Sequence, residues 1–141
     1  MEVSEVKRRL SETIERAKRG AADRRVRSDE AARDYEVFLA GIAIPLVRQV
    51  ANALKVQGFP FEVFTPGGSV RLMSEKSSDD YIELSLDTSG SEPAIIGRSR
   101  HARGRRVLET EQPIAAGPIR NLTEDQVLAF LLKELEPFVE K

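Results

Sequence analysis

The stretch Tyr81-Ile82-Glu83-Leu84-Ser85-Leu86-Asp87 alternates apolar and polar side chains without a break. Because successive side chains of a β-strand point to opposite faces, this pattern predicts a strand with one buried face. Similar patterns predict further strands over residues 61–64, 70–73, 94–100 and 105–111. The connections between them are short and polar, so the sequence predicts an antiparallel meander of about five strands.

The second face of the predicted sheet carries Phe64, Met73 and Tyr81 among charged residues. Such a face is more apolar than a fully solvated one usually is, which makes these three residues candidates for a protein interface. Apolar side chains scattered singly over a protein surface are common and form the competing interpretation. The sequence leaves both open.

Upstream of the sheet, apolar residues at spacings of three and four predict a first amphipathic helix. Its narrow stripe consists of Val3, Val6, Leu10, Ile14 and Ala17. Gly20 is expected to end this helix, or to let it fray onward to Arg27. Because the stripe is narrow and the segment highly charged, residues 1–27 are expected to project from the domain or to self-associate.

A second, longer helix is predicted to begin at Ser28, which suits an N-cap, and to stop at Gly58. Its apolar residues between Tyr35 and Leu54 cover more than one side, so it is expected to be the central core helix. Pro45 lies in the middle of this helix and lacks a backbone N–H. We therefore expect a kink there.

The chain ends in a third predicted helix, which starts with a capping box formed by Thr123 and Gln126. Pro137 disfavours helical geometry at the residue before it, so the helix is expected to end near Glu136. The predicted architecture is a single α+β domain over residues 1–141. It has two N-terminal helices, an antiparallel sheet and a C-terminal helix packed on that sheet beside the central helix.

Composition excludes several classes of function. The chain of 141 residues has no cysteine, which rules out thiolate catalysis, disulfides and cysteine-ligated metal. Its longest apolar run, residues 37–47, is shorter than the roughly 20 residues that span a bilayer. The N-terminus also lacks the features of a signal peptide. We therefore expect a cytoplasmic protein without membrane contact.

Catalytic residues are scarce as well. The one histidine, His101, is expected to be exposed at a hairpin tip among arginines. Acids at 79, 80, 83 and 87 could bind a divalent cation, although a solvated acidic face is the favoured interpretation. No nucleophile, base and orienting group can be assembled from the sequence. We expect no enzyme activity, cofactor, metal site or small-molecule substrate.

The strongest candidate site is the basic segment from Gly97 to Arg106, with Arg98, Arg100, Arg103, Arg105 and Arg106. Guanidinium groups donate paired hydrogen bonds to phosphates, and a two-stranded ribbon can enter a DNA groove. The sequence therefore suggests a non-catalytic accessory protein that is homodimeric and contacts an anionic partner through an arginine hairpin. Nucleic acid is favoured over an acidic protein.

An alternative stays open, because the arginines could pair within the molecule or merely discourage aggregation at a sheet edge. The protein would then be a structural or adaptor subunit that binds another protein through its helices and open sheet face. The segment has no aromatic residue, so base stacking is not indicated. Its loop is predicted as Ala102–Gly104 or as Arg103-Gly104, and the shorter loop places Arg98 opposite Glu109.

Overall fold

The computed structural model describes residues 1–140 and confirms the α+β class and the antiparallel sheet. The helices are α1 (Val3–Phe38), α2 (Ile44–Val56) and α3 (Glu124–Val139), with a π-helical turn at Leu39–Ala43 that joins α1 to α2. The strands are β1 (Phe61–Phe64), β2 (Val70–Ser74), β3 (Tyr81–Asp87), β4 (Ala94–Arg103) and β5 (Arg106–Pro113). Short 3-10 turns occupy Pro66–Gly68 and Ile119–Asn121.

The five strands lie in the sheet in chain order, and each is antiparallel to the next. The alternation predicted for β3 holds, since Ile82 and Leu84 are buried while Glu83 is only partly so. Leu72 and Ser99 flank Ile82 across the sheet and are buried on the same face. This face packs against the helices in the core, and the opposite face is not covered by them.

Helix α1 runs through Gly20 and Ser28 without interruption, so the predicted boundary between two N-terminal helices is wrong. A single glycine weakens a helix by only about 1 kcal/mol, and α1 consists largely of strong helix formers such as Ala, Arg and Glu. Ion pairs one turn apart add a little support, as between Arg8 and Glu12 at 3.1 Å.

The irregularity expected near Pro45 takes the form of the π-helical turn directly before it. There the N–H of Ile44 donates to the carbonyl oxygen of Leu39, five residues back. Proline has no N–H to donate and its ring crowds the preceding helical turn, so a widened turn at this point accommodates it. We call the continuous structure formed by α1, the π-helical turn and α2 the helical column.

The helical column meets the sheet at one end and then covers its inner face. The hydroxyl of Tyr35 donates to the carbonyl oxygen of Gly68 in the β1–β2 turn. Arg27 approaches Glu92 of the β3–β4 connection to 3.8 Å. Helix α2 contacts β1 and β2, while α3 contacts β3 and β4, so the predicted cover of one sheet face by these helices is confirmed.

Helix α3 begins with the predicted capping box at Thr123 and Gln126. It continues through Pro137 to Val139, so the predicted end near Glu136 is wrong. The final turn is held by Phe138, whose ring centroid lies 6.0 Å from that of Phe61. This contact offsets the one backbone hydrogen bond that proline cannot make.

Close approach of α3 to the sheet depends on Gly97 in β4. A Cβ atom built on Gly97 would lie 2.1 Å from the ring of Phe130, which therefore occupies the space of the missing side chain. The glycine that begins the basic segment thus serves the fold, because it seats α3 against the strand that carries the arginines.

Candidate anion-binding hairpin

The β4–β5 hairpin turns at Gly104 and Arg105, because Arg103 is paired with Arg106. Both predicted registers are therefore wrong, and Arg98 lies opposite Glu111 instead of Glu109. Gly104 has a φ of +63°, whereas no residue other than glycine has positive φ within residues 1–140. Glycine at the first central position is the requirement of a type II′ turn, whose twist matches that of the flanking strands.

Two of the five arginines lie along β4 on the open face of the sheet, and both have acidic neighbours. Arg98 Nη2 is 3.3 Å from Glu111 Oε2, and the charge of Glu111 raises the pKa of Arg98 above its ordinary value. Arg100 Nη2 is 3.9 Å from Asp79 Oδ1. The Nε atom of Arg100 is buried and has no hydrogen-bond partner within residues 1–140.

The other three arginines surround the turn, at the end of the sheet opposite α1. Arg103 Nη2 lies 3.6 Å from Glu140 Oε2, with both side chains more than 60% exposed. Exposed ion pairs of this kind contribute about 0–1 kcal/mol, so Arg103 can exchange its partner readily. Arg105 and Arg106 are exposed and have no acidic group within 4.0 Å in the described part of the chain. We call Arg103, Arg105 and Arg106 the tip cluster.

His101 is not the exposed tip residue that the sequence suggested. Its side chain is 16% exposed, and Nδ1 lies 3.3 Å from Asp80 Oδ1. The same carboxylate oxygen accepts the N–H of Ala102 at 2.8 Å. Phe138 packs edge-on against the imidazole at 4.7 Å between ring centroids. The longer strand β4 places His101 on the helix-covered face, where it ties the hairpin to the β2–β3 loop and to α3.

The acidic residues considered for a divalent cation have separate partners. Glu83 Oε2 accepts from Arg71 Nε at 2.7 Å, whereas Asp80 is engaged with the hairpin. Asp87 accepts from the hydroxyl and the N–H of Ser89, and these hydrogen bonds lower its pKa. Within residues 1–140 no group of three His, Asp or Glu side chains is placed to hold a metal ion.

The candidate interface residues Phe64, Met73 and Tyr81 do share the open face of the sheet. Tyr81 is buried there, with the guanidinium of Arg71 lying 4.2 Å from its ring centroid. Met73 is half-buried, and Phe64 is 39% exposed. The cation over Tyr81 closes much of this face, so Phe64 is the most accessible of the three. Their role as an interface stays a prediction.

A surface that sequence reasoning missed is an apolar groove between α2 and α3, of about 350 Å³. Its walls are Leu46, Gln49, Val50, Ala53, Leu54, Gln57, Leu128, Leu132 and Leu135. The signal was present in α3, where Leu131 and Leu135 are buried but Leu132 is 56% exposed. The apolar side of α3 is too wide for the sheet and α2 to cover completely.

The helical column contains an 18-residue window apolar enough to cross a bilayer by length and composition alone, and 28% of it is buried. The core helix of a globular domain meets the same criterion, and Val47 and Val50 of α2 are buried. This is weak support for a membrane span. The predicted lack of membrane contact stays a prediction.

No family model matches the chain, and no curated protein or solved structure is significantly similar to it. Two features of the described residues bear on function: the tip cluster, and the exposed apolar surfaces of the helices.

Proposed function

We propose that the protein is a non-catalytic accessory protein that self-associates and binds an anionic partner, nucleic acid in the first place, through the tip cluster. The observation that carries this proposal is the exposure of three arginines around one two-residue turn, two of them without an acidic neighbour among the described residues. Unpaired exposed cations concentrate positive potential and attract phosphate groups.

The five arginines of the hairpin differ in whether they already have an acidic partner within the molecule. Arg98 and Arg100 already lie beside Glu111 and Asp79, at 3.3 and 3.9 Å, in ion pairs that are partly exposed. Within residues 1–140, the tip cluster has no such acidic partner apart from the exposed contact of Arg103 with Glu140. A phosphate therefore meets Arg103, Arg105 and Arg106 without displacing a buried pair.

Nucleic acid is favoured over an acidic protein because of the form of the tip. A guanidinium presents a planar fork of donors that fits two phosphate oxygens at once. A two-stranded ribbon is narrow enough for the major groove of DNA. The segment from Gly97 to Arg106 has no aromatic residue, so contacts to the backbone are expected to dominate over base stacking.

The test is a titration of labelled duplex and single-stranded oligonucleotides by fluorescence anisotropy at several salt concentrations. Each phosphate contact contributes about 0.9 to the slope of log affinity against log salt for duplex DNA. Replacing Arg103, Arg105 and Arg106 together by Ala is expected to weaken binding at least tenfold and to lower the slope by about 2 to 3.

A matched control replaces Arg8, Arg16 and Arg19, which are exposed on α1, by Ala. This variant loses the same number of charges far from the hairpin, so it is expected to bind with nearly unchanged affinity and slope. If the tip variant binds like the wild type, or if the control loses as much affinity, the hairpin does not carry the function.

A second candidate function, that of a structural or adaptor subunit, is favoured by the exposed apolar residues on α1 and α3. In that case the arginines serve solubility alone. A chain that self-associates but binds neither oligonucleotide at low salt would support this candidate. A chain that remains monomeric and retains no protein partner would count against it.

A further inference from the structure

Residues 1–27 form an arm that is helical from Val3 onward and exposed along almost its whole length. Four of its large apolar residues are solvent-exposed: Val3 (68%), Val6 (48%), Leu10 (57%) and Ile14 (43%). Their spacings of three and four residues put them on one side of the helix, and Ala17, which is also exposed, continues the same side. The arm therefore presents an apolar stripe that nothing within residues 1–140 covers.

The groove between α2 and α3 is the complementary surface. Seven of its nine wall residues are apolar, and the two polar ones, Gln49 and Gln57, are uncharged. A groove between two helices lined by leucine, valine and alanine is suited to the apolar side of a third helix. From Val3 to Ile14 and from Leu46 to Gln57 the helix advances by the same roughly 17 Å. The part of the stripe that carries the large apolar residues thus matches the α2 wall of the groove in length.

The arm cannot fill the groove of its own chain, because the arm and the α2 wall of the groove belong to one continuous helical column. Ile14 and Leu46 are 32 residues apart in that column, which corresponds to roughly 48 Å of helix. Folding back would require breaking α1, at the loss of its backbone hydrogen bonds. The occupant of the groove must come from another molecule.

The charges beside the stripe and beside the groove indicate which molecule occupies the groove. Helical spacing places Lys7 and Lys18 along one border of the stripe, whereas Arg9, on the other side, is paired with Glu5 at 3.1 Å. Two arms facing each other would bring these cations together, which opposes an arm-to-arm coiled coil. The described part of α3 instead carries four acids, Glu124, Asp125, Glu134 and Glu136, against the single cation Lys133. Helical spacing puts Asp125 and Glu136 next to Leu132 on the groove rim.

From this match in length, polarity and charge, we infer that the arm of one chain binds in the α2–α3 groove of a second copy, and that the exchange is reciprocal. The apolar stripe fills the groove, and its bordering cations lie against the acidic side of α3. This inference specifies the self-association included in the proposed function. It is separable from nucleic-acid binding, because mass in solution and oligonucleotide affinity are measured independently.

The first test measures mass in solution by light scattering for Leu10→Glu on the arm and Leu132→Glu in the groove. Both residues are more than half exposed, so the fold should tolerate the change, and circular dichroism verifies this. The wild type is expected to have the mass of two chains and each variant that of one. Matched controls are Val26→Glu, on the opposite side of α1, and Val37→Glu, an exposed position near the end of α1 that is not among the groove walls. Both controls are expected to stay dimeric.

A mixing experiment distinguishes exchange from arm-to-arm pairing. Leu10→Glu keeps an intact groove and Leu132→Glu keeps an intact arm, so an equimolar mixture restores one of the two contacts. We expect the mixture to form a heterodimer that neither variant forms alone. A monomeric wild type at high micromolar concentration, a mixture that stays monomeric, or Leu132→Glu that stays dimeric would overturn the inference.

Discussion

The two halves of the helical column have the same backbone and opposite surroundings. Within one chain, residues 3–27 are largely exposed, whereas Phe38, Leu46 and Val47 belong to the core. The difference follows from the width of the apolar surface, which is one stripe in the arm and more than one side in α2. Helix propensity and ion pairs hold the arm in shape, while burial holds α2. A helix can therefore continue far beyond the core that supports it.

The strongest test of this contrast compares Phe38→Ala with Leu10→Ala in chemical denaturation at concentrations where the chain is monomeric. Phe38 is 3% exposed, and its truncation is expected to lower the free energy of unfolding by about 3–5 kcal/mol. Leu10 is 57% exposed, and its truncation is expected to change that energy by less than about 0.5 kcal/mol. Equal losses would mean that the arm is part of the cooperative core.

A smaller effect on the free energy of unfolding is expected at the junction between the two halves of the column. Tyr35 donates a hydrogen bond to Gly68, and Tyr35→Phe is expected to cost about 1 kcal/mol. Burial, with a smaller contribution from the charge of Glu83, raises the pKa of Tyr35 from 10.0 to about 12. The neutral hydroxyl is thus favoured in the folded state, so its contribution is complete below pH 10 and is lost as the pH rises towards 12.

Urea denaturation between pH 8 and pH 11.5 measures this dependence. The wild type is expected to lose more stability over that range than Tyr35→Phe, which lacks the titrating group. Tyr81→Phe serves as the matched control, because it removes a tyrosine from the open sheet face and leaves Tyr35 in place. Parallel curves for wild type and Tyr35→Phe would show that Tyr35 does not couple the column to the sheet.

Local sequence patterns were sufficient to predict the strands of the sheet and the first turn of α3. Alternation identified β3, and the capping box at Thr123 is formed as the sequence indicates. Helix boundaries that depend on the combined preferences of many residues were predicted wrongly. Gly20 and Ser28 look like a helix boundary, but the helix formers around them outweigh both. Pro137 looks like a stop, yet the contact of Phe138 with Phe61 keeps the last turn in place.

In the candidate site, too, the feature set by neighbouring residues was predicted, whereas contacts with residues distant in the sequence were not. The presence of an arginine hairpin could be predicted from the segment itself, whereas its register could not. The loop Gly104-Arg105 places His101 on the helix-covered face, where Asp80 and Phe138 contact it. Asp80 lies 21 positions earlier in the chain, and its approach to His101 arises only once the sheet has formed. A predicted strand that stops at residue 100 leaves His101 at the hairpin tip and therefore assigns it to solvent.

The smallest expected effect concerns Gly20 in the arm. A Cβ at this position meets only the flexible side chain of Arg24, at 3.5 Å, so Gly20→Ala fits without strain. Alanine is expected to stabilise the local helix by about 0.5–1 kcal/mol. Amide hydrogen exchange near residue 20 should slow accordingly, and Ala22→Gly, an exposed position on the same helix, should accelerate it by a similar factor. Because the arm lies outside the core, neither change should move the global unfolding transition of the monomer. A shift of that transition would mean that the arm and the core unfold together.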